Sequence, residues 1–239
     1  MSSIHNDELK WILNTIDGLT THSYVKQMIG RPTIPVFFVR VLRLMLKSLH
    51  VPEERARLYT VAVTLLDMGQ VMHETVSIQS QTDPDEHRKQ QLYVLTGDYF
   101  SSVFYQQLAK HQEMKGISYL SQAVSRMNEK KMTYHMAQGT FASKVEEWEM
   151  LREISGGLLA ALADFFHVDL EKPTVWRNIV MDLMVLYDVK CGWDSFETEA
   201  EVEWIKNTSE RLNKASAELA DPPIQNELNI LISEAMPFT

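Results

Sequence analysis

Residues 61–108 read VAVTLLDMGQVMHETVSIQSQTDPDEHRKQQLYVLTGDYFSSVFYQQL. The first half of this stretch is almost continuously apolar and ends in polar side chains, which predicts one long buried helix. The second half begins again at Thr96-Gly97-Asp98-Tyr99-Phe100 and carries apolar residues at helical spacing, which predicts another helix. Two long helical segments with no alternating strand pattern between them indicate an all-α fold.

The rest of the chain repeats this helical pattern. Only 9 Gly and 8 Pro occur in 239 residues, which is low for a protein rich in loops and strands. No internal repeat or linker interrupts the chain, so we predict one all-α domain, a helical bundle, spanning residues 1–239. The main predicted helices cover residues 7–16, 35–49, 52–77, 83–94, 96–108, 117–136, 141–166, 173–188, 197–219 and 222–235.

Local signals mark several features of these helices. Asp83-Pro84 followed by Glu86 predicts a helix start, because Asp caps free amide groups and Pro suits the first turn. Asp98, directly after Gly97, is interpreted as an acid in the first turn of the next helix. The pair Gly156-Gly157 predicts either a kink or a place where a neighbouring helix packs against the backbone.

The composition excludes some function classes. A net charge of -9 and a pI near 5.4 argue against a general nucleic-acid surface, which needs clustered Lys and Arg. Cys191 is the only cysteine, so no disulfide forms within the chain and a reducing compartment fits. Residues 1–7 lack the pattern of a secretory leader, and no apolar run approaches ~18 residues. We expect a cytoplasmic protein with no membrane span.

The spacing of two short motifs resembles that of the chain-elongating polyprenyl diphosphate synthases. These motifs are His73-Glu74 and Gly97-Asp98-Tyr99-Phe100. In that family a helix ends in a histidine followed by an Asp-rich motif, and a Gly-Asp-[Tyr/Phe] helix follows after a similar interval. The resemblance implies a helical bundle of the isoprenoid synthase type. It also implies a reaction in which magnesium ions hold an allylic diphosphate while it ionises.

The Asp-rich motifs of that family are degenerate in this chain. Glu74 stands at the first acidic position, but Ile78 stands four residues on, where a second acid would share the helix face and grip the metal. The corresponding late segment, residues 182–194, has no adjacent pair of acids, and Lys190 would repel a divalent cation there. We therefore expect no catalytic residue and no metal site in this chain.

Two further diphosphate-binding elements of the family are reduced. Gly30-Arg31-Pro32 matches only part of the family's Gly-Gly-Lys-Arg-x-Arg-Pro sequence and lacks its lysine. Ser155-Gly156 stands where the family has Lys-Thr. A branch of the family explains this pattern. The chain resembles the small subunit, component 1, of the two-component heptaprenyl diphosphate synthases of bacteria that make menaquinone, and Asn128-Glu129-Lys130-Lys131 contributes to this resemblance.

This resemblance implies a division of labour. The chain is expected to be required for the activity and product length of a heptaprenyl or hexaprenyl diphosphate synthase without performing the chemistry. Catalysis and Mg²⁺ belong to a separate large subunit, with which the chain forms a heterodimer, and the chain helps to wall the tunnel around the growing polyprenyl chain. Met68, Met72, Met181 and Met184 are candidates for contact with that chain or with a partner helix, although ordinary core packing is the simpler interpretation.

A polar stripe follows the otherwise apolar helix 52–77. Asp67, Gln70, Glu74 and Ser77 recur three and four residues apart and so share one helix face. Three interpretations stay open: a relic of a substrate face, the lining of a wet cavity, or a polar strip in a subunit interface. His73 is more often a hydrogen-bonded structural histidine than a ligand.

Two rival hypotheses stand beside the subunit hypothesis. In the first, the chain is an enzyme of the same fold whose unorthodox site uses Asp67, Glu74 and Asp188. In the second, it is a helical adaptor or a homo-oligomeric binding protein with no role in isoprenoid chemistry, because a fold does not by itself fix a function.

Overall fold

The computed structural model describes residues 3–76, 83–137, 139–167, 175–192 and 198–237, with side chains from residue 7 onward. Ten α-helices and no β-strand lie in these ranges, so the prediction of an all-α fold is confirmed. In chain order the helices are α1 (Ser3–Thr20), α2 (Ser23–Ile29), α3 (Val36–Ser48), α4 (Glu53–Glu74), α5 (Pro84–Lys110), α6 (Met114–Ala137), α7 (Lys144–Phe166), α8 (Val175–Gly192), α9 (Glu199–Ala217) and α10 (Pro222–Ala235).

The helices form two compact units. The first unit comprises Met1–Arg43 together with Pro52–Ile117, and the second comprises Leu44–Val51 together with Ser118–Thr239. Each unit buries apolar side chains of its own. A single domain spanning residues 1–239 stays a prediction.

One face of α4 forms the core of the first unit. Val61, Leu65 and Met68 recur four and three residues apart, so they lie on the same side of the helix. They pack with buried side chains from α1, α3 and α5, namely Ile12, Ile16, Val39, Phe100 and Val103. The partly buried Met72 packs against the same cluster. The prediction of a long buried helix is confirmed for α4, whose buried residues lie between Ala56 and Gly69.

Two glycines bring α4 and α5 into close contact. A Cβ atom added to Gly97 would lie 2.9 Å from the backbone oxygen of Gly69, and one added to Gly69 would lie 3.0 Å from the backbone oxygen of Gly97. A side chain at either position would push the helices apart, because these distances are shorter than an ordinary van der Waals contact. The pair Gly69 and Gly97 therefore fixes how closely the end of α4 approaches α5.

The α5 helix is longer than the sequence predicts. It runs without a break from Pro84 to Lys110 and passes through Gly97, so the two predicted helices 83–94 and 96–108 are one helix. Asp83 caps its start, as predicted, and its side chain accepts a hydrogen bond from the backbone N–H of Asp85. The interpretation of Asp98 as a first-turn acid is wrong, because Asp98 lies about four turns into α5.

A buried tyrosine and an ion pair attach the connection between α5 and α6 to α4. The hydroxyl of the fully buried Tyr59 donates to Oε2 of Glu113 at 2.9 Å. Arg55 donates to both carboxylate oxygens of Glu113, from Nε at 2.6 Å and from Nη2 at 2.8 Å. These bonds from Arg55 lower the pKa of the Glu113 carboxyl, and burial raises the pKa of the Tyr59 hydroxyl.

Glu113→Gln is expected to lower the free energy of unfolding at pH 7 by about 1–2 kcal/mol, because the charge-assisted bonds from Arg55 weaken. The lowered pKa of Glu113 makes its stabilisation complete above the ordinary value of 4.5 and lost as the pH falls through the folded value. Urea unfolding between pH 7 and pH 3 checks this, and the difference from the unmodified protein should shrink with falling pH. The exposed Glu54→Gln on α4 is the control. A difference that is constant or grows towards pH 3 contradicts the assignment.

The core of the second unit lies between α7 and α8. Apolar residues fill both helices, and Leu159, Leu162, Ile179 and Val180 are fully buried. A Cβ atom added to Gly156 would lie 2.3 Å from Cα of Met181, so only glycine fits where α8 crosses α7. Of the two readings of the Gly156-Gly157 pair, the structure favours close packing of a neighbouring helix.

The singled-out methionines lie inside the two units. Met68 in α4 and Met181 and Met184 in α8 are buried, and Met72 is partly buried. Their burial favours ordinary core packing for these residues, and a contact with a polyprenyl chain stays a prediction.

Candidate functional site

Three of the four motif residues meet where the end of α4 crosses α5. The ring of His73 lies over Gly97, since a Cβ atom at Gly97 would be 2.7 Å from both Cε1 and Nε2 of the ring. Nε2 of His73 lies 3.5 Å from Oδ1 of Asp98. Glu74, the last residue of α4, is exposed. The close approach of two backbones at Gly97 therefore places a histidine and a carboxylate side by side.

The geometry of this cluster limits what it can do. The side chain of Asp98 is 66% exposed and that of His73 is 36% exposed, so water screens the pair and solvates both groups. A protonated His73 would form a weak surface ion pair with Asp98, and a neutral ring would form at most a hydrogen bond. This arrangement orients the histidine without creating a charged, water-excluded pocket.

The predicted polar stripe is partly visible on α4. Asp67 and Gln70 are partly buried and Glu74 is exposed, so exposure increases towards the end of the helix. Ser77 lies outside the described residues. All three interpretations of the stripe stay open, because burial alone does not separate a substrate face from an interface.

The described residues do not assemble a carboxylate cluster of the kind that magnesium requires. Mg²⁺ in a diphosphate site is held by oxygen ligands, mainly carboxylates and phosphates. Within the described ranges, no group of three or more His, Cys, Asp or Glu side chains is placed to hold a metal ion. The described donor set therefore does not fit a magnesium-diphosphate unit.

A buried carboxylate with two arginine partners lies in the second unit, in the segment where the resemblance places the second Asp-rich motif. The side chain of Asp182 is only 3% exposed. Oδ2 of Asp182 accepts from Nε of Arg211 at 3.1 Å, and Oδ1 accepts from Nη2 of Arg211 at 3.1 Å and from Nε of Arg152. Both oxygens of this carboxylate are thus occupied by guanidinium donors.

The two arginines change the electrostatics of this segment. The hydrogen bond to Asp182 raises the pKa of the Arg211 guanidinium. Two fixed positive charges beside one buried carboxylate repel a divalent cation and leave it no vacant oxygen. Further along α8, Nζ of Lys190 donates to the backbone oxygen of Glu234 at 2.8 Å, and Asp188 is exposed.

Sequence reasoning missed Arg152 and Arg211 as partners of Asp182. They lie on α7 and α9, about 30 residues away in either direction. One sequence signal indicates that Asp182 has a partner, because this acid stands in the middle of an otherwise apolar helix. A buried carboxylate almost always has a cationic or hydrogen-bonded partner, although the sequence does not say which.

One face of α5 carries exposed apolar side chains. Val94, Leu95, Tyr99 and Tyr105 are 40%, 62%, 49% and 44% exposed. At 100° per residue they lie within an arc of about 140°, so they share one helix face. Asp98 is exposed within the same arc, and the Tyr99 hydroxyl donates to the backbone oxygen of Leu19 at 3.2 Å. We call this surface the α5 face.

Solved structures of polyprenyl synthases share the fold. A decaprenyl diphosphate synthase from Rhodobacter capsulatus matches with a TM-score of 0.68 and 13% identity over 96% of this chain and 95% of that chain. A polyprenyl synthase from Caulobacter crescentus CB15, complexed with calcium and isoprenyl diphosphate, matches with a TM-score of 0.69 and 13% identity over 98% and 95%. A geranylgeranyl pyrophosphate synthetase from the archaeon Geoglobus acetivorans matches with a TM-score of 0.67 and 12% identity over 99% of each chain. The predicted isoprenoid synthase fold is confirmed.

The sequence also matches a family model described as heptaprenyl diphosphate synthase (HEPPP synthase) subunit 1, over residues 22–230. The chain belongs to this family. The resemblance drawn from His73-Glu74 and Gly97-Asp98 is therefore confirmed at the level of the family. The family name implies a two-component synthase, in which this subunit 1 has a partner subunit.

No helix that the structure describes in this subunit 1 is a candidate membrane span. In the described part of the chain, none combines the length and the apolar character needed to span one. For the described residues this agrees with the expectation of no membrane span.

Proposed function

We propose that this subunit 1 is the non-catalytic component of a heterodimeric heptaprenyl or hexaprenyl diphosphate synthase. It is required for activity and for product length, and the product supplies the side chain of menaquinone. The large subunit carries both Asp-rich motifs and the Mg²⁺ ions, and both subunits act in the cytoplasm. This subunit binds no metal of its own and contributes to the wall around the growing polyprenyl chain.

The observation that carries this proposal is the pairing of Asp182 with Arg152 and Arg211. Ionisation of an allylic diphosphate needs cations that neutralise the departing group, and these cations need carboxylates to hold them. Here the buried carboxylate of α8 is neutralised by the protein's own arginines. A carboxylate that is hydrogen-bonded to two arginines stabilises the fold of the second unit and is not available to a metal ion.

The crossing of α4 and α5 supports the same conclusion. Its carboxylates are Glu74 and Asp98, which are exposed, and Asp98 lies beside His73. The residue four positions after Glu74 is Ile78, so the sequence has no second acid at the spacing that would share a helix face with Glu74. The spacing of the family motifs is present, but the paired acids that would hold a metal-bound diphosphate are absent from the motif positions.

The α5 face is the surface that we assign to the large subunit. Large apolar side chains that stay exposed on one helix face are typical of protein interfaces, and tyrosine is enriched in the centre of such interfaces.

Leu95→Lys is expected to weaken the complex with the large subunit by at least about tenfold, because it would bury a charge in an apolar contact. The helix should stay folded, since Leu95 is 62% exposed in the chain alone. Ile230→Lys on α10 is the matched control, because Ile230 is also exposed, at 48%. Analytical ultracentrifugation of the mixed subunits measures both. If the two variants bind the large subunit with equal affinity, the α5 face is not the interface.

The function is tested by reconstitution. The chain is co-expressed with a candidate large subunit, and elongation of farnesyl diphosphate by isopentenyl diphosphate is followed by product chromatography. We expect long products only when both subunits are present, and neither subunit should elongate efficiently alone. Elongation by the large subunit alone, unchanged in rate and product length when this chain is added, refutes the proposal.

A further inference from the structure

A cavity of about 220 Å³ lies within the second unit, among α6, α7 and α8. Its lining includes the apolar residues Ala123, Met127, Ala161 and Met181. Each of these residues is buried but keeps 6–7% exposure, as expected for side chains whose remaining surface faces a hollow. The lining of the cavity therefore includes apolar side chains that keep a small part of their surface accessible.

Small residues create this hollow. Gly157 and Ala161 lie one turn apart on α7, and Ala123 belongs to α6. A Cβ atom added to Gly157 would meet no atom within 4 Å, so the space next to this glycine is unfilled. The neighbouring Gly156 differs completely, because its Cβ would collide with α8. The room beside Gly157 is thus a property of the cavity and is not required for helix packing.

The rim of the cavity carries an excess of positive charge. The described lining contains three cations, Arg126, Lys130 and Arg177, and two carboxylates, Glu153 and Asp164. Lys130 forms an ion pair with Glu153, and Arg177 forms one with Asp164. The lining therefore offers no third carboxylate to Arg126, which is exposed on α6 one turn before Lys130. An anion entering the cavity would complete the charge balance.

We propose that this cavity is a binding site for a small organic anion, with an apolar body that rests on the two methionines and one carboxylate or phosphate group that pairs with Arg126. The proposed function assigns no ligand to this site. A cavity of about 150 Å³ holds benzene, so 220 Å³ accepts an aromatic ring or a branched five-carbon chain. The flexible thioether side chains of Met127 and Met181 adapt to either shape. A carboxylate, with one negative charge, matches the single excess cation, and a phosphate group, with a charge of about -1.5 to -2 at pH 7, offers three acceptor oxygens to the same guanidinium.

Methyl NMR provides a direct test with the full chain. The protein is labelled with ¹³C at the methionine methyl groups, and the Met127 and Met181 resonances are assigned with Met→Leu variants. Benzoate is titrated as the carboxylate probe, phenyl phosphate as the phosphate probe, and benzamide as the uncharged isostere of benzoate. We expect both anions to shift these two resonances with a Kd on the order of 1 mM or tighter, and benzamide to bind at least about tenfold more weakly.

Two variants and one control test whether the probes bind in this cavity. Arg126→Gln should weaken benzoate about tenfold and leave benzamide unchanged, whereas Lys115→Gln, an exposed charge removal on the same helix outside the lining, should change neither. Gly157→Leu should fill the cavity and abolish the shifts, and Arg126→Gln decides the question if that variant does not fold. Absence of shifts at Met127 and Met181, equal binding of benzoate and benzamide, or unchanged binding to Arg126→Gln overturns the proposal.

Discussion

Asp182→Ala is expected to lower the free energy of unfolding by about 3–5 kcal/mol, which is a large part of the stability of an ordinary domain. The substitution leaves the Arg152 guanidinium, only 17% exposed, without the carboxylate that neutralises it, and it removes the hydrogen bonds from Arg211. Urea unfolding followed by circular dichroism measures the effect. Because the carboxylate stabilises the fold in our account, the loss should appear in the chain alone, without metal, substrate or partner.

Two further variants separate this effect from a general sensitivity of α8. Asn178→Ala removes an exposed polar side chain from the same helix and should change stability by about 0.5 kcal/mol or less. The triple variant Asp182→Leu, Arg152→Met, Arg211→Met should recover most of the loss, because it removes all three charges together. A stability of Asp182→Ala close to that of the unmodified protein contradicts the structural role of this carboxylate.

Gly156→Ala is expected to cost about 3 kcal/mol, because its new methyl group would lie 2.3 Å from the Cα atom of Met181. A backbone atom cannot rotate away as the end of a side chain can, so α7 and α8 must separate. Thermal unfolding of this variant reports the loss directly. The expected effect follows from the contact between two helices and does not depend on the helix propensity of alanine, which is more favourable than that of glycine.

Gly157→Ala is the matched control for this prediction. The two glycines are neighbours in the same helix, but nothing lies within 4 Å of a Cβ atom at Gly157. The substitution should therefore stabilise the protein by about 0.5–1 kcal/mol, the usual gain of alanine over glycine in a helix. Similar losses of stability in the two variants would mean that α8 does not pack against the backbone at Gly156.

The fold class and many helix ends could be predicted from the sequence because their signals are local. Asp83 and Asp221 both cap the helices that follow them, and each is followed by proline in the first turn. Thr198 and Glu201 close the start of α9 with reciprocal hydrogen bonds. A cap needs only residues within one turn of one another, so the sequence contains all the necessary information.

The continuity of α5 could not be predicted in the same way. Gly97 has a low helix propensity and was interpreted as the beginning of a new helix. In the structure, its contact with Gly69 compensates for that low propensity, because a glycine is required where the two backbones meet. Tertiary packing therefore decides the course of α5, and the partner in that packing lies 28 residues earlier in the chain.

The sequence indicated the motif residues but not their contacts, and a functional role for these residues stays a prediction. The spacing of His73 and Gly97 indicated the family correctly. The contact of His73 with Asp98, and the pairing of Asp182 with two arginines, depend on how separate helices pack, and no spacing rule reports that. The sequence shows directly that the paired acids of the family motifs are absent. It does not show that Arg152 and Arg211 bind the carboxylate of Asp182.

Our proposal that this subunit 1 forms no metal-diphosphate site is tested most directly by calorimetric titration of the purified chain. Magnesium and farnesyl diphosphate are titrated together, first into the chain and then into the large subunit as a positive control. The account predicts no saturable magnesium-dependent binding to the chain and clear binding to the large subunit. Saturable binding to the chain alone that requires magnesium and disappears in Glu74→Gln would contradict it.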